Sequence, residues 1–262
     1  MAERVVFACT AGIQPWPGSV AAIVDVGQGE DVEGERSRAL ECGAAEAVVV
    51  DARDEFAERY YLPAVQAGAL HAGPLVPALS RLLIAEHLAA AARTRGATTV
   101  VHGWSDRFTA VIAALAPDLE VLARAARPID RRVHVPDPGD PDELMITFDR
   151  GVPVAIDGET VTVLQAVREL NRRSGGRHRA IFEAPGARTL STAHRELADN
   201  TLDPDLARFG RTVGRRWREL VHDGRWSAPL KTALDAFVAD TQQHVTGEIR
   251  VLLNGEHGAR CA

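Results

Sequence analysis

Residues 20–31 read Val20-Ala21-Ala22-Ile23-Val24-Asp25-Val26-Gly27-Gln28-Gly29-Glu30-Asp31. The apolar run over 20–26 has the length and composition of a buried strand. Gly27 and Gly29 supply a turn into a helix, and the acidic residues after them suit the positive end of that helix. These glycines could instead line a ligand, but turn glycines are the commoner kind. A strand that leads through a short turn into a helix is the repeating unit of a parallel α/β sheet.

The same unit recurs on both sides of this stretch. The predicted strands of the first half cover residues 4–8, 20–26, 44–50, 98–101 and 119–122, and the predicted helices cover 31–42, 54–67, 78–95 and 108–115. Pro63 is expected to kink or divide the second of these helices. Because strands and helices alternate, the sheet is predicted to be parallel and covered on both faces.

The pattern changes after a segment with the composition of a linker. Residues 124–132 are rich in arginine, and 135–142 are rich in proline and acidic residues. Beyond them an antiparallel meander is predicted, with a tight turn at Asp157-Gly158. Its strands cover 144–148, 152–156 and 159–162; helices follow over 164–173, 192–200, 204–222 and 229–245, with a last strand over 248–253. The tail from residue 254 has no pattern and is expected to be frayed.

Composition excludes several classes of protein. The net charge of −6 argues against nucleic acid as the main partner, because phosphates attract a basic surface. No apolar run approaches the roughly 18 residues of a membrane span, and the N-terminal residues lack a signal-peptide layout. The three cysteines are widely spaced and form no zinc pattern, which suggests a reducing compartment. The chain is therefore predicted to be cytoplasmic, with no membrane partner and no metal centre.

Several segments resemble the argininosuccinate synthase family. They are residues 24–31, Gly151-Val152-Pro153-Val154, Asp157-Gly158-Glu159, Ala193-His194-Arg195-Glu196-Leu197, Thr201-Leu202-Asp203 and Val245-Thr246-Gly247. The family joins citrulline and aspartate at the expense of ATP. The resemblance implies an α/β fold: a parallel-sheet, adenine nucleotide alpha hydrolase-like domain over 1–128, followed by a smaller, truncated α+β synthetase-like domain over 143–255. The His194-Arg195-Glu196 segment is predicted to be a solvated or interface face of its helix.

The segment that corresponds to the family's phosphate loop is changed. The family reads Ser-Gly-Gly-Leu-Asp-Thr-Ser, and this chain reads Thr10-Ala11-Gly12-Ile13-Gln14-Pro15-Trp16. Proline has no N–H group to donate to a phosphate, and the 11 residues between the predicted strands leave little room for a helix. The resemblance implies ATP and Mg²⁺ as cofactors, and the changed loop predicts that both are lost. Gly12 and Gly103 remain the candidate cofactor-binding residues.

The amino-acid sites implied by the resemblance are also reduced. The family's His-Gly pair is kept as His102-Gly103, but the next segment, which holds aspartate and citrulline, shrinks to Ser105-Asp106-Arg107-Phe108. His71 replaces the family's citrulline-binding tyrosine. The family's Tyr-Glu-Thr-Pro-Gly becomes Phe182-Glu183-Ala184-Pro185-Gly186. The remaining candidate substrate-binding residues are Thr10, Asp25, Ser105, Asp106 and Arg107.

The family's sheet order makes the first and fourth strands neighbours, which predicts that Cys9 and His102 approach each other. A thiol beside an imidazole can be an activated nucleophile or a site for a soft metal or haem, and it can also be a buried thiol packed against an inherited histidine. Cys9 and His102 are the candidate catalytic residues. His102 suits proton transfer, and Arg107 suits a carboxylate.

Three functional interpretations follow. The first is a repurposed, ATP-independent enzyme or binder of an amino-acid-like small molecule in bacterial metabolism, including specialised metabolism. The second is a non-catalytic partner or regulatory pseudoenzyme. The third is an ATP-dependent C–N ligase of arginine biosynthesis with a rebuilt site. Loss of the first helix would uncover an apolar sheet face, so a homodimer or a hetero-complex is expected.

Overall fold

A computed structural model describes residues 5–9, 15–29, 31–71, 73–124, 142–175, 180–253 and 259–261. The chain forms two compact units, one of residues 1–53 with 80–133 and one of residues 54–79 with 134–262. The sequence-based division at 1–128 and 143–255 had left residues 54–79 with the first domain, and it stays a prediction.

The first unit is built on a parallel sheet, as predicted. Its strands are β1 (Val5–Ala8), β2 (Val20–Asp25), β3 (Glu46–Asp51), β4 (Thr99–His102) and β5 (Glu120–Ala123), in the order β3-β2-β1-β4-β5. The helices in this part of the chain are α1 (Val32–Glu41), α2 (Arg53–Phe56, which belongs to the second unit from residue 54 on), α4 (Val76–Thr94, which begins in the second unit) and α5 (Asp106–Leu115). The expected neighbourhood of the first and fourth strands is confirmed, because β1 pairs with both β2 and β4.

The register of β1 fixes which side chains share a face of this sheet. Val5 is paired with Thr99 and Phe7 with Val101, so these four side chains point to one face. Val6 and its partner Val100 point to the other face, and His102 follows them because it lies two residues beyond Val100.

The second unit contains the predicted antiparallel meander. Its strands are β6 (Asp142–Asp149), β7 (Val152–Ile156), β8 (Glu159–Thr160), β9 (Gly247–Leu253) and β10 (Ala259–Cys261), in the order β10-β9-β6-β7-β8. The hairpin turn is where the sequence placed it: Asp157 and Gly158 have φ of +50° and +83°. The expectation of a frayed tail is wrong for residues 259–261, which pair with β9 through their backbone.

Helices complete the second unit. They are α3 (Leu62–Gln66), preceded by a π-helical turn at Ala57–Tyr61, then α6 (Val163–Arg173), α7 (Pro185–Thr201), α8 (Pro204–His222) and α9 (Pro229–Gln242). Helix α7 begins seven residues before the predicted residue 192, with Pro185 in its first turn. No described helix is long and apolar enough to cross a membrane.

The core of the second unit encloses a lysine between two indoles. The ammonium group of Lys231 lies 4.4 Å from the ring centroid of Trp217 and 3.9 Å from that of Trp226. Asp235 accepts hydrogen bonds from this ammonium group and from Nε1 of Trp217. Both tryptophans therefore pack around the lysine within the second unit.

Candidate functional site

His102 is the last residue of β4 and lies at the carboxyl edge of the parallel sheet. Its Nδ1 accepts the backbone N–H of Trp104 at 3.2 Å, so Nε2 carries the proton and donates to Oγ1 of Thr109 at 2.9 Å. Phe108 and Trp104 pack on the ring. Burial lowers the pKa of His102 below its ordinary value, and the negative charge of Asp106 opposes this shift. The imidazole is thus a neutral, buried group whose two nitrogens are both engaged.

Cys9 lies on the opposite face of the sheet. It follows β1, donates its backbone N–H to the carbonyl of Ala22, and packs in a cluster with Ala21, Ile23 and Ala39 under helix α1. The predicted pairing of Cys9 with His102 does not form, because alternation along neighbouring strands directs their side chains to different faces. Within the described ranges, no cluster of three or more His, Cys, Asp or Glu side chains is placed to hold a metal ion.

Asp25 ends β2 and organises the turn that follows. Its Oδ1 accepts the N–H of Gly27 at 2.8 Å, and its Oδ2 lies 3.5 Å from Nε of Arg53. Gly27 and Gly29 have φ of +81° and +80°, values that disfavour other residues. These contacts favour the turn interpretation of the two glycines over a ligand-lining one.

Ser105, Asp106 and Arg107 form the exposed start of α5. The carbonyl of Ser105 accepts the N–H of Phe108 at 2.8 Å, which begins the helix. Burial lowers the pKa of the Arg81 guanidinium on α4, and the positive charge of Arg107 lowers it further. Two neighbouring guanidinium groups and the positive end of a helix make this edge attractive to an anion.

The remaining predicted site residues are less informative. Thr10 and Gly12 lie outside the described residues, and Gly103 is half-buried directly after β4. His71 is an exposed residue of the second unit, and its Nε2 lies 3.3 Å from Oγ of Ser191. The structure therefore brings His102, Gly103, Ser105, Asp106 and Arg107 together at one edge and leaves Cys9 apart from them.

Residues 15–19 are a described part of the connection between β1 and β2, the place where a nucleotide phosphate would bind in the family. They form a turn, in which the N–H of Gly18 donates to the carbonyl of Gly43 and both donors of Ser19 bond to the carbonyl of Trp16. The indole of Trp16 packs edge-on against Phe7, with ring centroids 5.1 Å apart. This described part of the connection offers no phosphate cradle of the usual kind, because the N–H groups of Gly18 and Ser19 are used within the protein, Pro15 and Pro17 have none, and no helix begins among residues 15–19.

A second candidate site lies in the second unit and was not predicted. It is a cavity of about 300 Å³ between residues 66–71, the C-terminal half of α7, helix α8 and the end of α9. Its charged lining residues are Arg195, Asp199, Arg211, Arg215 and Arg218, and its histidines are His71 and His194. One signal was available in the sequence: Arg211, Arg215 and Arg218 are spaced by four and three residues, which places them on one helix face.

His194 lines this cavity, whereas the sequence predicts a solvated or interface face for the His194-Arg195-Glu196 segment. Its Nε2 donates to Oε1 of Gln242 at 2.7 Å, and Nε2 of Gln242 donates to the carbonyl of Gln66 at 3.3 Å. Burial lowers the pKa of His194 to about 4. The expectation is wrong for His194, which is buried, and holds for its neighbour Arg195, which is exposed.

Two family models match the sequence. The model of the arginosuccinate synthase N-terminal HUP domain matches residues 15–134. The model of the arginosuccinate synthase C-terminal domain matches residues 130–178 and 175–259. Together the matches run through both units, from the loop before β2 to the first residue of β10.

Proposed function

The chain belongs to the argininosuccinate synthase family, and from this premise we propose that it has lost the family's use of ATP and binds or transforms an amino-acid-like small molecule. The observation that carries the proposal is the connection between β1 and β2. A phosphate loop works through free backbone N–H groups at the start of a helix. Here Pro15 has no N–H, and the N–H groups of Gly18 and Ser19 already donate to the carbonyls of Gly43 and Trp16.

The test is binding of ATP with magnesium by titration calorimetry. We expect no saturable heat at millimolar ATP, while a family enzyme with an intact loop, measured alongside, gives a normal isotherm. The companion assay follows AMP and pyrophosphate during incubation with citrulline, aspartate and ATP. Saturable micromolar binding, or product above background, would restore the ligase interpretation.

The positive edge of the first unit is the proposed place for the amino-acid-like molecule. Arg107 is exposed beside Arg81, and a planar guanidinium can hold both oxygens of a carboxylate. His102 ends β4, three residues before Ser105 in the sequence, and is the neutral imidazole proposed to act beside this edge. Mass spectrometry of small molecules that copurify with the protein supplies candidate ligands, and Arg107→Ala is expected to lose them while Arg107→Lys retains part.

A second candidate function, a non-catalytic binding or regulatory protein, is favoured by the bonds of His102. Both ring nitrogens are engaged, by Trp104 and Thr109, and Cys9 points to the other face of the sheet. His102→Gln distinguishes the two functions. A binder keeps its ligand in this variant provided that it remains folded, whereas an enzyme that uses the imidazole for proton transfer keeps binding and loses turnover.

A further inference from the structure

The cavity of the second unit has the size and lining of a small-molecule site. Its volume of about 300 Å³ is at the lower end of the range typical of ligand pockets, roughly 300–1,000 Å³. Small residues on the facing helices, Ala198, Ala207, Gly210 and Gly214, leave the space open. A Cβ atom built at Gly210 would meet no atom within 4 Å, whereas one at Gly214 would lie 2.0 Å from the carbonyl oxygen of Ala67. The cavity therefore widens toward Gly210.

One part of the lining is apolar. Leu202 and Leu206 lie at the junction of α7 and α8, and Phe237 and Val238 contribute from α9. The two leucines and Phe237 are half-buried, so each keeps part of its side chain available to a ligand. Covering such surface favours association by about 25 cal/mol per Å² of apolar area. This wall suits the hydrocarbon or aromatic body of a small molecule.

The other part of the lining is positively charged. Four guanidinium groups and one carboxylate line the cavity, an excess of three positive charges while the histidines are neutral. Arg211 donates to Asp199 at 2.9 Å, and Arg218 donates to the carbonyls of Ala69 and Gly73. Arg195 and Arg215 have no hydrogen-bond or ion-pair partner in the described ranges of the chain. Two guanidinium groups beside an apolar wall are thus left to hold an anion.

From this arrangement we infer that the cavity of the second unit binds a small amphipathic carboxylate. The apolar body lies against Leu202, Leu206 and Phe237, and the carboxylate is held by Arg195 and Arg215. This site lies in a different unit from the positive edge of the parallel sheet, and its ligand requires no nucleotide. The inference goes beyond the proposed function and holds whether or not ATP binds.

The test is direct binding to the full chain, by ligand-observed NMR and calorimetry. The probes are phenylacetate, 3-phenylpropionate and hexanoate, with phenylacetamide as the uncharged match and inorganic phosphate as an anion without an apolar body. We expect saturable binding of at least one carboxylate. We also expect binding at least about tenfold weaker for the amide, since a charge-assisted hydrogen bond contributes that much.

Variants locate the site. Arg195→Gln with Arg215→Gln keeps two exposed, long side chains and should weaken carboxylate binding about tenfold or more without changing the melting temperature. Gly210→Leu should fill the open end of the cavity and abolish binding. The matched control is Arg208→Gln, an exposed arginine of the same helix that is paired with Asp205 and does not line the cavity. It should bind like the unmodified chain.

Three outcomes overturn the inference. The first is that no carboxylate of the panel reaches saturable binding at 10 mM, which is about 10⁴ times a dissociation constant of about 1 μM. The second is that the amide or inorganic phosphate binds as tightly as the carboxylates. The third is that Arg208→Gln weakens binding as much as the double variant. None of these outcomes changes the expected result of the ATP titration, so a failure here and a failure of the proposed function are distinguishable.

Discussion

Protonation of His194 is expected to destabilise the protein as the pH falls from 7 to 5. The imidazole is only 2% exposed, donates to Gln242, and packs edge-on against Phe148 at 5.8 Å. Burial lowers the pKa of His194 to about 4 in the folded chain, against about 6.5 in the unfolded chain. At pH 5 the unfolded chain therefore binds a proton that the folded chain does not.

The sign and size of the effect follow from linkage. The contribution of neutral His194 to the free energy of unfolding is fully present above about pH 6.5, and it is lost as the pH falls toward the folded pKa of His194. A difference of about 2.5 pKa units between the unfolded and the folded chain corresponds to a total loss of about 3 kcal/mol. About 2 kcal/mol of this is lost between pH 7 and pH 5. A domain has only about 5–15 kcal/mol in total, so the loss is measurable.

The assay is urea unfolding at pH 7, 6 and 5, with His194→Gln as the variant. Glutamine can still donate to Oε1 of Gln242, but it does not titrate. The free energy of unfolding of the variant should be lower at pH 7, and its fall between pH 7 and pH 5 should be smaller by about 2 kcal/mol. His71→Gln is the companion, because the pKa of exposed His71 is also lowered to about 4. An unchanged pH dependence in His194→Gln would refute the reasoning.

Three further predictions concern two glycine positions, the buried lysine and the assembly of the protein. Gly151→Ala should lower the free energy of unfolding by about 2 kcal/mol or more, because its φ is +73° and a Cβ would lie 2.0 Å from Oε1 of Gln242. Gly158→Ala should lower it by only about 1 kcal/mol, because its φ is +83° but a Cβ would meet no atom within 4 Å. Equal losses for the two variants in chemical denaturation would contradict this. Lys231→Met should cost about 1–2 kcal/mol through the lost cation–π and ion-pair contacts, and Lys231→Ala more; a thermal shift that ranks them the other way would contradict the packing argument. Light scattering should show a dimer or a larger complex, and a monomer that stays stable on dilution would contradict the expected exposed sheet face.

The parallel sheet could be predicted because strands that are buried on both faces have a recognisable, continuously apolar sequence. Each residue of Val20–Val24 is buried, so the strand reads as an unbroken apolar run with no polar alternation to confuse it. The first turns of α7 were missed because Pro185-Gly186-Ala187 is made of small residues with no apolar period. The strand Ala259–Cys261 was missed because three residues are too few for alternation to show, and its partner β9 supplies the backbone bonds.

The candidate sites show where sequence reasoning ends. Placing β1 beside β4 was correct, yet a register in which Phe7 pairs with Val101 puts Cys9 and His102 on different faces. Adjacency of strands is a property of topology, whereas the meeting of two side chains depends on a shift of one residue. The cavity depends on the meeting of residues 66–71 with helices α7, α8 and α9, which lie far from them in sequence. Only the helical spacing of its arginines was visible beforehand.

The two candidate sites decide between the three interpretations of this family member through independent measurements. A binding protein that kept the scaffold and replaced the ligand is indicated by three results together: no saturable heat with ATP, saturable carboxylate binding at the cavity of the second unit, and ligand binding at the positive edge of the first unit that survives His102→Gln. A flat ATP titration with turnover that depends on His102 points to a repurposed enzyme. ATP binding with product formation points to a ligase whose donors come from residues other than Gly18 and Ser19, because the backbone N–H groups of that turn are already bonded.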